Sequence, residues 1–317
     1  MTRREFLVTA SGAALAAAAR AGAAPSDATP TIPIIDSHVH IVDPTRPQGA
    51  PWPPKSDLSI YRPHLPAKFA ALTAPYHVLG EVVIEASPWL EDNQWILDQA
   101  RDHTGIVGFI GHLEPGTPAF AANLRRFAAD PIFRGIRLWS KIVPRTGEPA
   151  IRRDLDRLAE RGLTIDVVNG DDILEDIGHL ARRYPKMPIV IDHLPFTKWD
   201  GRPEAMRSEL AELASCPNVF AKVSYVVRLR AGRNIADPSF YKPGLDVLWD
   251  LFGSKRVVYA SNWPASARTA TYDDIYRAIA PYVATRSRQE GEDFYWRNSI
   301  AAYRWVARGA AASLRAA

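Results

Sequence analysis

Cysteine is nearly absent from the sequence: Cys216 is the single thiol in 317 residues. One cysteine excludes an internal disulfide and a zinc site built on several cysteine ligands. The sequence also lacks a region in which charges of one sign are concentrated. The first 23 residues hold three arginines and one glutamate, and the rest of the chain carries 36 basic and 34 acidic residues. Without a basic stripe, we expect no nucleic acid partner.

Two other features are missing. The first predicted strand, residues 32–42, is not followed by the glycine-rich loop of a nucleotide-binding open sheet. Long apolar runs are also missing, because the alanine-rich segment from Leu7 to Ala19 is too short to remain as a membrane span. These absences argue against a doubly wound nucleotide-binding domain and against a membrane-anchored mature protein.

The amino terminus has the features of an export signal. Thr2-Arg3-Arg4-Glu5-Phe6-Leu7 resembles a twin-arginine motif, and Ala21-Gly22-Ala23 is a plausible cleavage site. We therefore predict a signal peptide over residues 1–23 and a linker over 24–31. The predicted destination is the periplasm.

The remainder, residues 32–310, predicts one (β/α)8 TIM barrel. Eight short apolar runs alternate with helical patterns, and runs without strict alternation are typical of parallel strands covered on both faces. The predicted strands are residues 32–42, 78–86, 105–114, 133–139, 163–169, 188–194, 218–225 and 256–264. We also predict Asp171 as a helix N-cap and a last helix over residues 288–307.

Residues 43–66, between the first strand and the first helix, are rich in proline and aromatic residues. Such a stretch cannot form a regular helix or a central strand. We expect this loop to be a lid or a pocket wall, or else a surface excursion that packs on its own rings.

The stretch Asp36-Ser37-His38-Val39-His40 places two imidazoles two residues apart on the first strand. Residues at i and i+2 point to the same face, so His38 and His40 should project together, with Asp36 beneath them. Such a pair can share a metal ion or polarise one carbonyl oxygen.

Polar residues also end the other predicted strands, where a barrel of this kind carries its catalytic groups. They are Glu85, His112, Glu114, Arg137, Asn169, His193, Ser224, Tyr225 and Asn262. Asp166 and Lys222 are charges inside predicted strands, so we expect them to pair within the barrel or at its wall. Asp192 should point away from His193 and anchor a loop.

Four of these stretches, in their order, resemble the amidohydrolase superfamily: Asp36 to His40, Gly135-Ile136-Arg137, Ile191-Asp192-His193-Leu194 and Ala260-Ser261-Asn262-Trp263-Pro264. They are similar to the branch that holds sugar lactonases and 2-pyrone-4,6-dicarboxylate lactonase. The resemblance implies a TIM barrel and a small-molecule substrate.

Two departures from that family bear on the metal. Members with a metal usually carry a histidine at the end of strand five, where this chain has Val168 and Asn169, and an aspartate in strand eight, where it has Asn262. An amide is a poor ligand and no general base near neutral pH. With His38 and His40 as the remaining ligands, we expect either no cofactor or a weakly bound divalent metal, zinc if one is present.

The resemblance implies a hydrolase that opens a lactone or related cyclic ester with an activated water. The expected catalytic residues are His38, His40, His193, Glu85 and Asn262, and the expected substrate-binding residues are Arg137, His112, Tyr225 and Trp263. The histidines would polarise the carbonyl, and the base would be Glu85, Glu114 or His193. Two alternatives stay open: a non-oxidative decarboxylase of an aromatic acid, and a degenerate barrel that binds a sugar or aromatic acid without turnover.

Overall fold

The computed structural model describes residues 31–168, 173–194 and 202–315. The predicted signal peptide, nearly all of the linker, Asn169 and Asp171 lie outside these residues. Within the described ranges, each helix is too short or too polar to cross a lipid bilayer.

Eight parallel strands form one sheet in chain order, which confirms the predicted barrel. The strands are β1 (Ile34–Val39), β2 (Val78–Ile84), β3 (Ile106–Gly111), β4 (Phe133–Leu138), β5 (Thr164–Val167), β6 (Ile189–Ile191), β7 (Val219–Val223), the hairpin strands β8 (Leu229–Arg230) and β9 (Arg233–Asn234), and β10 (Val257–Tyr259). The hairpin is outside the barrel sheet. A parallel bridge between Val39 and Trp263 brings the last barrel strand back to the first.

Helices cover the outside of the barrel. They are α1 (Pro66–Thr73), α2 (Leu90–Asp102), α3 (Phe120–Phe127), α4 (Pro149–Glu160), α5 (Leu174–Arg183), α6 (Pro203–Ala214), α7 (Lys242–Phe252), α8 (Tyr272–Ala284), α9 (Arg288–Glu292) and α10 (Asn298–Tyr303). Proline begins α1, α4 and α6, where its missing N–H is not needed. Capping boxes begin α8 and α9.

The predicted last helix, residues 288–307, is wrong as one continuous α-helix. A π-helical segment, Asp293–Arg297, interrupts it, and the left-handed Arg304 (φ 48°) ends it. Two apolar clusters meet at this segment, one between the strands and the outer helices and one inside the barrel. In the wider π turn, Tyr295 packs in the outer cluster and the adjacent Trp296 packs in the inner one. A regular helix would keep its period and present one apolar face.

Alternation along the strands divides the apolar side chains between two clusters. Ile189 and Ile191 of β6 pack against the helices, whereas Val190 between them belongs to the interior cluster. Phe220 and Val258 join it from neighbouring strands. The lower part of the barrel is therefore a packed apolar core, and polar side chains are left for the carboxyl end.

The amino end of the barrel is closed by residues that follow α9. Trp296, Tyr303 and Trp305 are buried in the interior cluster. The Ala302 carbonyl accepts a hydrogen bond from the hydroxyl of Thr164, the first residue of β5, at 2.7 Å. Burial of each large apolar side chain contributes about 1.5–3 kcal/mol, so this floor is a substantial part of the core.

Strand β1 is irregular, and this corrects the expected position of Asp36. The pairing register with β2 shifts between Asp36 and Val39. The Asp36 carboxylate accepts hydrogen bonds from the Ser261 N–H (2.9 Å) and from the hydroxyl of Tyr272 on α8 (3.3 Å). Because the irregularity breaks the two-residue alternation, Asp36 does not share a face with His38.

Candidate active site at the barrel mouth

Two buried imidazoles meet at the carboxyl end of β1. The Nε2 atoms of His38 and His40 lie 3.2 Å apart, and the two rings are nearly perpendicular. The backbone fixes this end of β1, since the His40 N–H donates to the Trp263 carbonyl (2.8 Å) and the Asn262 N–H to the His38 carbonyl (2.9 Å). The predicted meeting of His38 and His40 on one face is present.

The partners of the other ring nitrogens fix the tautomer of His40. His40 Nδ1 lies 2.9 Å from the Ile84 carbonyl, which only accepts, so neutral His40 carries its proton on Nδ1. His38 Nδ1 faces both a donor, Lys222 Nζ at 3.2 Å, and an acceptor, Asp192 Oδ1 at 3.3 Å, so each of its two tautomers has a partner there. Burial lowers the pKa of His40 to about 3 and that of His38 well below its ordinary value, so both rings are neutral at pH 7.

A buried charge layer lies beneath the histidines. Lys222 is fully buried, and its ammonium group contacts Asp166 Oδ2 and Asp192 Oδ1, each at 2.7 Å, besides His38. The hydroxyl of Tyr303, from the floor of the barrel, donates to Asp166 Oδ2 at 2.8 Å. The predicted pairing of Asp166 with Lys222 is confirmed.

Asp192 is the centre of this layer, and the prediction that it anchors a loop is wrong. Its Oδ2 accepts from Arg137 Nε (3.1 Å) and Nη2 (2.8 Å), and its Oδ1 faces Lys222 and lies 3.3 Å from His38 Nδ1. Although burial opposes ionisation, the charges of Lys222 and Arg137 hold the pKa of Asp192 well below its ordinary value. Burial and the Asp192 carboxylate raise the pKa of Asp166 well above its own.

Arg137, expected to bind substrate, is largely engaged within the protein. Besides the two hydrogen bonds to Asp192, its Nη1 donates to the Glu85 carbonyl at 3.2 Å. The side chain is 7% exposed and also lines the open cavity described below. Its first role in this structure is therefore to hold Asp192 and the end of β2.

Among the residues that the structure describes, non-glycine residues in the left-handed region follow three barrel strands. These are His193 after β6 (φ 61°), Tyr225 after β7 (φ 52°) and Asn262 after β10 (φ 58°). Histidine and asparagine adopt this conformation more readily than most residues. The sharp turns place these three side chains around the carboxyl end of the barrel.

His193 is held beside His38. Its ring centroid lies 4.9 Å from that of His38 and 5.9 Å from that of Tyr225. The Ser224 hydroxyl oxygen accepts from the His193 backbone N–H (3.2 Å) and lies 2.7 Å from its Nδ1. Burial lowers the pKa of His193 to about 4. Asn262 completes the group, because its Oδ1 lies 3.2 Å from His40 Nε2.

Glu85 is the buried carboxyl group of the site. The residue is 5% exposed, its Oε1 accepts from Trp139 Nε1 at 3.1 Å, and its Oε2 has no hydrogen-bond partner among the described residues. Burial, opposed by the Arg137 charge, raises the pKa of Glu85 to about 7. A carboxyl group with this pKa can exchange a proton near neutral pH.

Glu85 lines one cavity, and Arg137 and Trp139, which it contacts, line a second. An open cavity of about 500 Å³ has walls from several strand-to-helix loops, namely Trp52, Ala86, Pro88, His112, Leu113, Glu114, Pro115, Arg137, Leu138, Trp139, Lys141 and Ile142. A smaller one of about 20 Å³, which Glu85 and Trp52 both line, lies under residues 46–52. The Trp52 ring is 5.2 Å from that of His40. The long loop after β1 is therefore a wall of the site, one of its two expected roles.

The remaining predicted site residues are less central. The Trp263 ring packs against Phe69 (5.3 Å) and His64 (5.0 Å) under α1 and is 6% exposed, so its position does not support substrate binding. His112 lines the open cavity while Asn93 holds its backbone N–H and carbonyl at 2.8 and 2.9 Å. Glu114 is an exposed residue at the rim of the same cavity.

Sequence reasoning missed the central position of Asp192 and the hydrogen bond that Trp139 makes. A signal for Asp192 was present. Val190 precedes it by two residues and faces the interior, so alternation places the Asp192 side chain inside the barrel. For Trp139 the sequence carries no comparable signal, since its partner comes from a different strand.

Comparison with known proteins agrees with this architecture. The profile of a family described as amidohydrolase matches residues 35–305, and the chain belongs to that family. The predicted family is confirmed.

Individual relatives fall in the lactonase branch. The chain is 30% identical to an L-fucono-1,5-lactonase of Burkholderia ambifaria over 246 residues, which cover 76% of this chain and 83% of the relative. Among solved structures, it is similar to an amidohydrolase from Burkholderia multivorans with bound zinc. The TM-score is 0.75 at 23% identity, and the match covers 86% of this chain and 99% of the other. It is also similar to a probable 2-pyrone-4,6-dicarboxylic acid hydrolase from Acinetobacter baumannii with bound citric acid. The TM-score is 0.67 at 16% identity, and the match covers 85% of this chain and 98% of the other. These two structural similarities support the fold.

Proposed function

We propose that the protein is a hydrolase that opens a lactone, with the lactone of a sugar acid as first candidate substrate. The observation that carries the proposal is the pair His38 and His40, whose Nε2 atoms converge at the mouth of a barrel related to an L-fucono-1,5-lactonase. The cavity of about 500 Å³ that Trp52, Arg137 and Trp139 line is within the usual size range of a small-molecule site.

In the tautomer that carries its proton on Nε2, His38 is assigned to polarise the lactone carbonyl and to stabilise the oxyanion. His40 does not share this role when neutral, because its proton is on Nδ1 and its Nε2 presents a lone pair. His193 supplies a second donor in the tautomer in which the Ser224 hydroxyl donates to Nδ1. Tyr225 and the cavity residue His112 are the candidates for contacts to the rest of the substrate.

Glu85 is assigned as the general base, and Asn262, beside His40, as the residue that orients the water. Ionised Glu85 takes a proton from the water as the water oxygen bonds to the carbonyl carbon. When the ring C–O bond breaks, Glu85 returns that proton to the leaving alkoxide. One water is consumed, the product is a hydroxy acid, and Glu85 is again ionised. The pKa of about 7 suits both transfers.

The donor set also fits a divalent ion. His40 Nε2 and Asn262 Oδ1 both present lone pairs and lie 3.2 Å apart, an arrangement that a shared cation stabilises. His38 can join them in the tautomer that donates its Nδ1–H towards Asp192 Oδ1, 3.3 Å away. When bound, such an ion would supply Lewis-acid polarisation of the carbonyl. Zinc is the ion that suits this nitrogen-rich set.

The proposal is tested by proton release from purified mature protein with aldonolactones, pyrone lactones and muconolactones, with and without a chelator. We expect turnover of at least one lactone and a loss of roughly 10²–10⁴-fold in kcat for Glu85→Gln. Glu160→Gln, at the exposed end of α4, is the matched control and should retain full activity. Turnover that survives chelation assigns the chemistry to the protein side chains, and turnover that is lost assigns a role to the metal. Binding of lactones without any product would overturn the proposal in favour of a non-catalytic barrel.

We further propose that the chain is exported to the periplasm by the twin-arginine route. The support is the Arg3-Arg4 pair ahead of the alanine-rich segment. Cell fractionation of a strain that expresses the full chain should find it in the periplasm, and the double variant Arg3→Lys, Arg4→Lys in the cytoplasm. Equal periplasmic amounts of the two would contradict this route.

A further inference from the structure

We propose that Trp139 is a positioning residue that couples the occupied substrate cavity to the orientation of Glu85. This inference rests on the proposed function, in which Glu85 is the general base. It assigns to an exposed aromatic residue a role beyond that of a cavity wall.

The geometry places Trp139 between solvent and a buried carboxyl group. The residue follows β4 directly and is 43% exposed, and its ring lines the open cavity. Its indole N–H donates to Glu85 Oε1 at 3.1 Å. The Arg137 guanidinium carbon lies 5.5 Å from the ring centroid, which restrains the ring from the barrel side. One exposed side chain thus contacts both the substrate space and the base.

The hydrogen bond from Trp139 reaches one of the two carboxylate oxygens, while the Ser87 backbone N–H also favours the ionised carboxyl group. Oε1 is held by the indole, whereas Oε2 has no hydrogen-bond partner among the residues that the structure describes. Oε2 is therefore the oxygen available to take the proton from the attacking water. If Trp139 did not hold Oε1, the carboxyl group could rotate about its last torsion, which has a broad energy minimum.

Substrate binding would strengthen this arrangement. A ring-shaped substrate that packs on the exposed indole face removes water from around the Trp139–Glu85 hydrogen bond. The bond then lies in a medium of lower dielectric constant and becomes stronger. The base is thereby best oriented when the cavity is filled.

Charged groups face Glu85 from two sides. Arg137 and Asp192 act from inside the barrel, while the ion pair of Arg46 and Asp92, at 2.9 Å, lines the smaller cavity on the other side. All four remain when the indole is replaced by a phenyl ring. A change in the titration of Glu85 in that variant therefore reports the loss of the indole N–H.

The test is Trp139→Phe, which keeps an aromatic wall and removes the hydrogen bond, measured as kcat and KM against pH with the best lactone of the panel. Because the N–H stabilises the ionised form of Glu85, its loss should shift the acid limb of the kcat profile to higher pH by about one unit. We expect kcat at the optimum to fall roughly tenfold, as for a lost hydrogen bond to a charged group, and KM to change little. Trp89→Phe is the matched control: Trp89 is 39% exposed, does not line the cavity and should leave all three values unchanged.

The outcomes separate this inference from the proposed function. If Glu85→Gln is inactive and Trp139→Phe has the wild-type profile and kcat, the positioning role is refuted and the function stands. If Glu85→Gln keeps wild-type activity, the assignment of the base fails, and the inference fails with it. A Trp139→Phe variant in which only KM rises would make Trp139 a wall of the cavity and nothing more.

Discussion

Replacing Glu81 with glutamine should make the protein more stable, and increasingly so as the pH rises. Glu81 lies on β2 opposite Asp36 of β1 and is 5% exposed. Burial, with a further contribution from the Asp36 carboxylate and opposition from Arg308, raises the pKa of Glu81 from 4.5 to about 8. Glutamine has nearly the shape of the protonated side chain and cannot ionise.

The sign and size of the effect follow from this pKa. In the unfolded chain Glu81 ionises near 4.5, whereas in the folded protein it keeps its proton to about 8. Between these values the folded state binds more protons, so the free energy of unfolding falls as the pH rises. Each pH unit in this window is worth about 1.4 kcal/mol, which gives a loss of about 3 kcal/mol by pH 7 and about 4 kcal/mol by pH 8.

Urea unfolding of the wild type and Glu81→Gln at pH 5, 6, 7 and 8 measures this difference. We expect the advantage of the variant to grow by roughly 3 kcal/mol across the series. Glu160→Gln, an exposed carboxylate, serves as the control and should follow the wild type throughout. Parallel curves for the wild type and Glu81→Gln would refute the reasoning, because they would show that Glu81 does not keep its proton in the folded state.

Three further substitutions test the site. Lys222→Met removes the cation between Asp166 and Asp192 and should lower the free energy of unfolding by about 3–5 kcal/mol in urea titrations; a loss below about 1 kcal/mol would contradict a central role for this ammonium group. Asn262→Asp places a carboxylate next to His40 and should raise zinc affinity at least about tenfold by calorimetry; an unchanged affinity would remove Asn262 from the ligand set. Trp52→Ala uncovers His40, so diethyl pyrocarbonate should modify the His40 imidazole several-fold faster than in the wild type, as followed by mass spectrometry. An unchanged rate would show that the Trp52 ring does not shield His40.

The barrel could be predicted because each of its strands is a local pattern. A short apolar run bounded by polar residues identifies a buried parallel strand without knowledge of its neighbours, and the strand ends then locate the mouth. The same rule selects His38, His40, Glu85 and His193 as candidate site residues. The distances between them were not predictable, since they depend on turns such as the left-handed His193.

The failures have causes that lie outside the local pattern. Asp36 was misplaced because an irregularity in β1 changes the alternation that the prediction assumed. The position of the Trp263 ring was also not predictable, because the Phe69 ring against which it packs lies on a helix that is distant in sequence. The π-helical segment Asp293–Arg297 has the composition of an ordinary helix, and only the need to serve two apolar clusters distinguishes it.

The floor of the barrel has a consequence for the order in which the protein is made on the ribosome. A nascent chain that has released all eight barrel strands still lacks Trp296, Tyr303 and Trp305, so the interior apolar cluster is open to water from below. The Tyr303 hydroxyl, which donates to Asp166, reaches the charge layer under the histidines only after this point. The candidate site is therefore completed after its last side chain has been synthesised. A ribosome stalled shortly after β10 would hold a barrel in which every candidate site residue is present and the support beneath them is missing.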